Sequence, residues 1–400
     1  MVQKTMVQTY RQNKNLSPMV LHVGFDAKKA VRNLTGIGNY SRRCINALAN
    51  DVQIFLFTAS KGKKAATTQL TERTTFIHPP HILRFGLIRE LWRNLLICFS
   101  IKRSGIDIYH GLSNELPIGI QYTGCKSVVT IHDLIFIRHP HTYSLLQRYI
   151  LKWKTLHACK VADRVIAISQ QTKRDLMKLY HVPEEKISVV YQSVDIPLFS
   201  QPMSDSQILA IKEQYNLPQR YILCVGTIER RKNQLTVLKA MSLLPHDIHL
   251  VLVGKESKHG KITYQQEIEH YASANNLSSR LHILNHVSNQ ELPMLYQGAS
   301  VFTFISTYEG FGIPIVEALL SRVPVIAATG SCLEEAGGPH SLYVPSYSWT
   351  QLAEAVKKIM ESPLLHKQMA DNGWKYAQQF SDRQLSINLQ KIYNELYHTN

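Results

Sequence analysis

Residues 305–320 read Ile305-Ser-Thr-Tyr-Glu309-Gly310-Phe311-Gly312-Ile-Pro314-Ile-Val-Glu317-Ala-Leu-Leu320. The apolar run 301–304 precedes them and reads as a strand that ends near Ile305. A turn with two glycines follows. Pro314 then falls in the first turn of a helix, where its missing N–H costs nothing. A strand that turns through glycines onto a helix N-terminus is the repeating unit of doubly wound α/β sheets. It is also a place for an anion, because free N–H groups and the helix dipole favour negative charge there. Gly310 and Gly312 lack a Cβ and allow close approach to the backbone. Glu309 and Glu317 bracket the turn, and their carboxylates suit sugar or ribose hydroxyls.

Working outward, the same alternation of short apolar runs and helical stretches covers the chain. Strands are expected over 20–24, 52–58, 106–110, 127–131, 164–168 and 187–190. A polar linker, 200–206, follows. A second series then covers 221–225, 249–253, 281–284, 301–304 and 323–327. Short apolar strands between helices imply parallel sheets covered on both faces. Two series of similar size imply two doubly wound domains, with ligands beyond the C-terminal strand ends and a central cleft as the expected site.

A second element, Val225-Gly226-Thr227-Ile-Glu229-Arg230-Arg231-Lys232-Asn233, follows the strand 221–225. Gly226 permits a sharp turn. Arg231 and Lys232 bring positive charge to a helix start, which the dipole disfavours; a bound diphosphate would resolve the conflict. With Gly-Phe-Gly-Ile-Pro between two glutamates, these stretches resemble the donor site of retaining glycosyltransferases of family 4, which have the GT-B fold of two Rossmann-like domains facing a central cleft. The resemblance covers nearly the whole chain and departs at Arg230, where relatives have proline. It implies that Glu309 contacts the donor sugar and Glu317 the ribose. It places Gly310, Phe311 and Gly312 at the sugar and phosphates, Gly226 and Thr227 beside them, and Arg231 and Lys232 on the pyrophosphate. The segment 330–338 fits a surface turn as well as a pocket wall and is left out of the site.

In the first half, Thr35-Gly36-Ile-Gly38-Asn-Tyr40 resembles the family's Gly-x-Gly loop, which approaches the donor phosphate. It is not a full dinucleotide fingerprint, since Ser41 stands at the third glycine. His132 ends the strand 127–131, and the resemblance implies contact with the donor sugar near the leaving group. Asp133 either orients that ring or caps the next helix. Asn114, in a strand-end segment, is assigned with Asp133 to the acceptor side. Ser169 reads as an N-cap. The expected divisions are a flexible extension 1–18, an acceptor domain 19–200, a nucleotide-sugar domain 207–380, and a C-terminal helix 381–400 packing back on the first domain.

The 45 Lys and Arg against 29 Asp and Glu give a formal charge of +16, which favours an anionic partner without choosing one. The six cysteines form no CxxC pair and read as buried free thiols of a reducing compartment. No apolar run is long enough to span a bilayer, and 1–18 lacks the features of a signal peptide. The apolar, aromatic and basic stretch 84–103 reads either as a helix in an anionic membrane interface, with Trp92 and Phe99 at the headgroups, or as an ordinary domain helix. The expected chemistry is transfer of a hexosyl group, mannosyl included, from a nucleoside-diphosphate sugar to a glycan or lipid-linked saccharide in cell-surface polysaccharide synthesis. No Asp-x-Asp occurs, so no metal or other cofactor is expected, and catalysis falls to His132, Glu309, Arg231 and Lys232. The expected location is cytoplasmic, on the inner face of the membrane. The rival readings are another GT-B enzyme such as a sugar-nucleotide epimerase or a phosphorylase, a basic membrane or nucleic-acid binding module, and a dinucleotide oxidoreductase. No nucleic-acid motif is present.

Overall fold

The computed structural model describes residues 20–80, 90–257 and 263–398. The extension 1–18 and the start of the basic stretch, 84–89, lie outside the described residues. The chain forms two compact units: residues 1–193 with 382–400, and residues 194–381.

The first unit holds seven parallel strands: β1 (His22–Asp26), β2 (Gln53–Phe57), β3 (Thr74–Ile77), β4 (Ile108–Gly111), β5 (Lys126–Ile131), β6 (Arg164–Ala167) and β7 (Ile187–Val189). Their order is β3-β2-β1-β4-β5-β6-β7. The order reverses between β1 and β4, a switch point at which strand ends leave a crevice. Six of these strands match apolar runs in the sequence. The edge strand β3 does not, because Thr74-Thr-Phe-Ile77 is only partly covered and lacks a continuous apolar run. The helix Asp382–His398 belongs to this unit. Its Leu385, Leu389, Ile392 and Tyr393 share a core with Val23, Ile45 and Ile108, and Asp382 pairs with Arg43 at 2.9 Å.

The second unit holds six parallel strands: β8 (Arg220–Val225), β9 (Ile248–Val253), β10 (Leu281–Leu284), β11 (Val301–Phe304), β12 (Val325–Ala328) and β13 (Leu342–Val344). Their order is β10-β9-β8-β11-β12-β13, with its switch point between β8 and β11. β11 and β12 are buried at every residue, which is why they read as unbroken apolar runs. β13 has three residues, too few to show a pattern. Most of the expected linker is structured. A helix ends at Ser200, and Ser204 opens the helix Asp205–Gln214 with a capping box to Gln207. Residues 194–200 pack with the second unit: Ser321 Oγ donates to the Phe199 carbonyl, and Trp374 Nε1 to Ser200 Oγ.

Candidate functional site

In the second unit, the C-terminal ends of β8, β9 and β11 meet. Gly226 leaves β8 with φ +140° and Gly254 leaves β9 with φ +156°. A Cβ on Gly254 would stand 1.9 Å from the Gly226 carbonyl oxygen, so the close approach of the two turns requires glycine. Exposed Thr227 follows, and its carbonyl accepts from Gln234 Nε2. Arg230–Lys232 then forms one 3₁₀ turn, and left-handed Asn233 starts the helix Gln234–Ala240. The neighbouring loop is tied to this turn, because Thr307 N donates to the Arg231 carbonyl at 2.9 Å.

Glu309 sits between the two cations. One of its carboxylate oxygens is 2.7 Å from both Arg231 Nη1 and Lys232 Nζ. Arg231 also pairs with Glu229 and donates to the Tyr308 carbonyl at 2.6 Å. Lys232 Nζ lies 4.6 Å from the centre of the Phe304 ring, a cation–π contact. Burial alone would raise the Glu309 carboxyl; the Lys232 and Arg231 charges outweigh it and hold it below its ordinary value. The sequence suggested a diphosphate as counter-ion for the basic pair. The fold supplies carboxylates instead: Arg231 and Lys232 against Glu229 and Glu309 make a cluster of zero net charge, which an incoming phosphate must enter by competing with Glu309.

Beyond Glu309 the loop is buried through Gly312, and Phe311 packs edge-on against Phe380. Gly312, with φ +139°, caps the helix Ile313–Leu320, and Pro314 lies in its first turn. The thiol of Cys332 lies 3.2 Å from the Glu309 carbonyl and 3.1 Å from that of Phe311. The segment 330–338 therefore braces the loop from behind. Glu317 is one turn into the helix and accepts from Tyr296 Oη at 2.9 Å. This unit thus brings Arg231, Lys232 and Glu309 into contact, with Gly226 beside Lys232 and Gly310, Phe311 and Gly312 on the same loop as Glu309. Thr227 and Glu317 are held apart from that cluster by Gln234 and Tyr296.

In the first unit, Gly36 and Gly38 are not in a loop. They form the first turn of the helix Gly36–Ala47, and a short helix, Lys28–Arg32, lies between it and β1. A Cβ on Gly38 would fall 1.9 Å from the Asn33 carbonyl oxygen, whereas one on Gly36 would meet nothing within 4 Å. Tyr40, from the same helix, meets His132 edge to face at 4.7 Å. His132 is buried. Its Nε2 lies 2.9 Å from the Leu112 carbonyl and its Nδ1 3.2 Å from Gln192 Nε2. A carbonyl only accepts, so Nε2 carries the proton and Nδ1 accepts from Gln192. Burial pushes the ring down to about 4. Asp133 neither caps the next helix, whose N-cap is Leu134, nor orients the His132 ring, which Leu112 and Gln192 hold; its carboxylate accepts from Ile135 N in a local turn. Asn114, at φ +57°, accepts from His132 N and donates to the Asp133 carbonyl, so it fastens one strand-end loop to another. Ser169 is an N-cap, accepting from Thr172 N.

Two residues of the 84–103 stretch correct the reading of it as an interfacial helix. Trp92 is buried in the core with Ile97, Ile101 and Leu116, so it cannot lie among lipid headgroups. Arg93 is buried and paired at 2.7 Å with both Asp26 and Glu115. Phe99 does face outward, at 75% exposure. Of the cysteines, Cys98 and Cys125 are only partly buried; all six are free.

Sequence reasoning missed Gly254, Tyr296, Gln192 and Cys332. Only Gly254 carried a signal, a glycine directly after the apolar run of β9. The others reach the site from distant segments.

Comparison with known proteins agrees with this anatomy. The family model described as Glycosyltransferase Family 4 matches residues 34–197, and Glycosyl transferases group 1 matches residues 206–376. O-antigen chain mannosyltransferase B of Escherichia coli is 26% identical over 365 residues, covering 87% of this chain and 93% of that protein. O-antigen chain mannosyltransferase RfbU of Salmonella typhimurium is 28% identical, covering 60% of this chain and 62% of that one. Among solved structures, Anabaena Alr3699/HepE in complex with UDP and glucose superposes with a TM-score of 0.74 at 17% identity, over 94% of this chain and all of that one. With one model on each half and the two doubly wound sheets between them, the chain belongs to the family 4, group 1 glycosyltransferases and has their GT-B fold.

Proposed function

We propose that the chain is a retaining, metal-independent hexosyltransferase that moves mannose from a nucleoside-diphosphate sugar to a glycan or lipid-linked saccharide during cell-surface polysaccharide assembly. The observation that carries the donor chemistry is the Arg231–Lys232–Glu309 cluster at the helix N-terminus of Ile313–Leu320. Fixed cations and backbone N–H groups aimed at a leaving diphosphate stabilise developing charge without a metal ion. Glu309, already ionised and held, is placed to exchange a cation for a sugar hydroxyl as the diphosphate arrives. Glu317, held by Tyr296, would take the ribose. The mannosyl assignment is supported by the names of the E. coli and Salmonella relatives.

The leaving phosphate itself is the proposed acceptor of the proton from the attacking hydroxyl, and attack comes from the face it departs. His132 serves as a neutral, fixed wall on the first unit, and Asn114 holds its backbone N–H. We place the enzyme in the cytoplasm, on the inner face of the membrane. No helix among the described residues is long and apolar enough to cross a bilayer. The test is a panel of GDP- and UDP-sugars with a lipid-linked acceptor fraction, with and without a metal chelator. Release of free GDP only with acceptor, unaffected by chelation, is the expected result. Release that needs a divalent ion would overturn the metal-free reading, and preference for another sugar would overturn mannose.

A further inference from the structure

A line of polar groups runs through the apolar core of the first unit. Tyr393, from the helix Asp382–His398, places its hydroxyl 2.6 Å from His110 Nδ1. His110 Nε2 is 2.8 Å from Thr130 Oγ1. Thr130 Oγ1 is in turn 3.1 Å from the hydroxyl of Tyr40. Tyr393, His110 and Thr130 are fully buried, and Tyr40 is nearly so. The core around them holds Phe25, Ile45, Ile108 and Leu389. An apolar core needs none of these hydroxyls, and any one left unpaired there would cost stability. Burial keeps the His110 ring neutral, well below its ordinary value, so one ring nitrogen donates and the other accepts. When Nε2 donates, Thr130 is free to donate to Tyr40. When Nε2 accepts, Thr130 donates to it and takes the proton of Tyr40. The four groups can thus align in one direction, and such chains strengthen their members.

The line ends beside His132. Tyr40 lies two residues after Gly38 on the helix Gly36–Ala47, and its ring meets that of His132 at 4.7 Å and 86°. Thr130 stands in β5 two residues before His132, and its carbonyl accepts from Asn114 N at 2.9 Å. Asn114 in turn accepts from His132 N. His110 stands in β4 two residues before Leu112, whose carbonyl holds His132 Nε2. Every contact that fixes His132 from β4, from β5 and from the helix of Tyr40 is therefore one short step from the buried line. We infer that Tyr40, Thr130, His110 and Tyr393 are positioning residues for the transfer reaction, setting the ring of His132 from as far away as the helix Asp382–His398. They act through His132 and touch no substrate. The inference rests on the reading that places His132 at the donor sugar.

Thr130→Val keeps the branched shape and deletes the central hydroxyl. The test uses the full chain with the sugar nucleotide and acceptor that give activity in the panel above. The catalytic constant of Thr130→Val should fall about tenfold at unchanged KM for the sugar nucleotide. Thr130→Ser should recover all but about twofold, and Tyr393→Phe should lose about fivefold. A second readout is independent of turnover. The ring signal of His132 in protein carrying isotopically labelled histidine is identified by its loss in His132→Asn. It should shift in Thr130→Val and Tyr393→Phe and return in Thr130→Ser. If Thr130→Val does not fold, Tyr393→Phe decides, because it keeps the ring in the core. An unmoved His132 signal overturns the inference whatever the turnover. So does a moved signal with an unchanged catalytic constant while His132→Asn is impaired. Normal turnover in His132→Asn overturns instead the placement of His132 at the donor sugar, and the two failures are told apart because the ring signal still follows Thr130.

Discussion

Lys232 Nζ and the Glu309 carboxylate are 2.7 Å apart, and Arg231 takes the same carboxylate oxygen at the same distance. All three side chains are nearly buried, so their charges are weakly screened by solvent. Removing Lys232 leaves Glu309 with one cation. Removing Glu309 leaves two cations side by side. Glu309→Ala should therefore cost the second unit more stability, about 3 kcal/mol against about 1–2 kcal/mol for Lys232→Ala. Both should lower turnover by about a hundredfold or more, Lys232→Ala because it removes a cation placed for the leaving diphosphate and Glu309→Ala because it removes the carboxylate placed for the donor sugar. Urea unfolding and steady-state rates on the same preparations check the order. Near-normal turnover in Lys232→Ala would remove the pair from the donor chemistry.

Tyr296 is fully buried, and its hydroxyl reaches Glu317 at 2.9 Å and the Pro314 carbonyl at 3.3 Å. It fixes the rotamer of the carboxylate proposed for the ribose. Tyr296→Phe keeps the ring in the core and deletes the donor. KM for the sugar nucleotide should rise about fivefold to tenfold, or about 1 kcal/mol for one ordinary hydrogen bond, since Tyr296 acts only through the placement of Glu317. The catalytic constant should hardly move. A fall in the catalytic constant at constant KM would place Glu317 in the reaction step rather than in binding.

The fold was legible because the central strands of both sheets, such as β4, β5, β11 and β12, are buried almost throughout and so appear as apolar runs. The exceptions are physical: β3 is partly covered and β13 is three residues long. The donor loop was legible because glycine and proline mark turns and helix starts wherever they stand. The partners of that loop were not. Gln192 reaches His132 across 60 residues and Cys332 reaches Glu309 across 23, and nothing local marks either side chain for the task. Charge was legible only as a sum. Arg231 and Lys232 read as waiting for an anion, yet the fold gives them Glu309 and Glu229. Trp92 read as equally suited to lipid or core, and only packing decided it.

Two glycines of one turn should respond in opposite ways. Gly38→Ala puts a Cβ 1.9 Å from the Asn33 carbonyl oxygen, a backbone atom that the first turn of the helix holds in place. Relief requires moving the helix start, at a cost of about 3 kcal/mol. Gly36→Ala meets nothing within 4 Å and has ordinary helical φ, so stability should stay within about 0.5 kcal/mol. Thermal unfolding of the two variants decides between a packing role and a conformational role for this Gly-x-Gly. If Gly36→Ala folds normally but loses donor affinity, its backbone approaches the ligand.

His132 and His110 give the first unit a dependence on acid. Burial holds the rings at about 4 and about 3, against 6.5 for a free imidazole. His132 cannot gain a proton on Nδ1 without losing the bond from Gln192. Below pH 6.5 the unfolded chain binds protons that the buried rings refuse. Stability is therefore greatest above 6.5 and declines as pH falls toward 4. By pH 5 each ring should remove about 2 kcal/mol relative to pH 7. His132→Asn takes away its contribution, so the loss of unfolding free energy between pH 7 and pH 5 should shrink by about 2 kcal/mol. Urea titrations at the two pH values, followed by far-ultraviolet circular dichroism, measure it. A slope equal to that of the unsubstituted protein would mean that His132 is charged in the fold, and the bond from Gln192 to Nδ1 could not then exist.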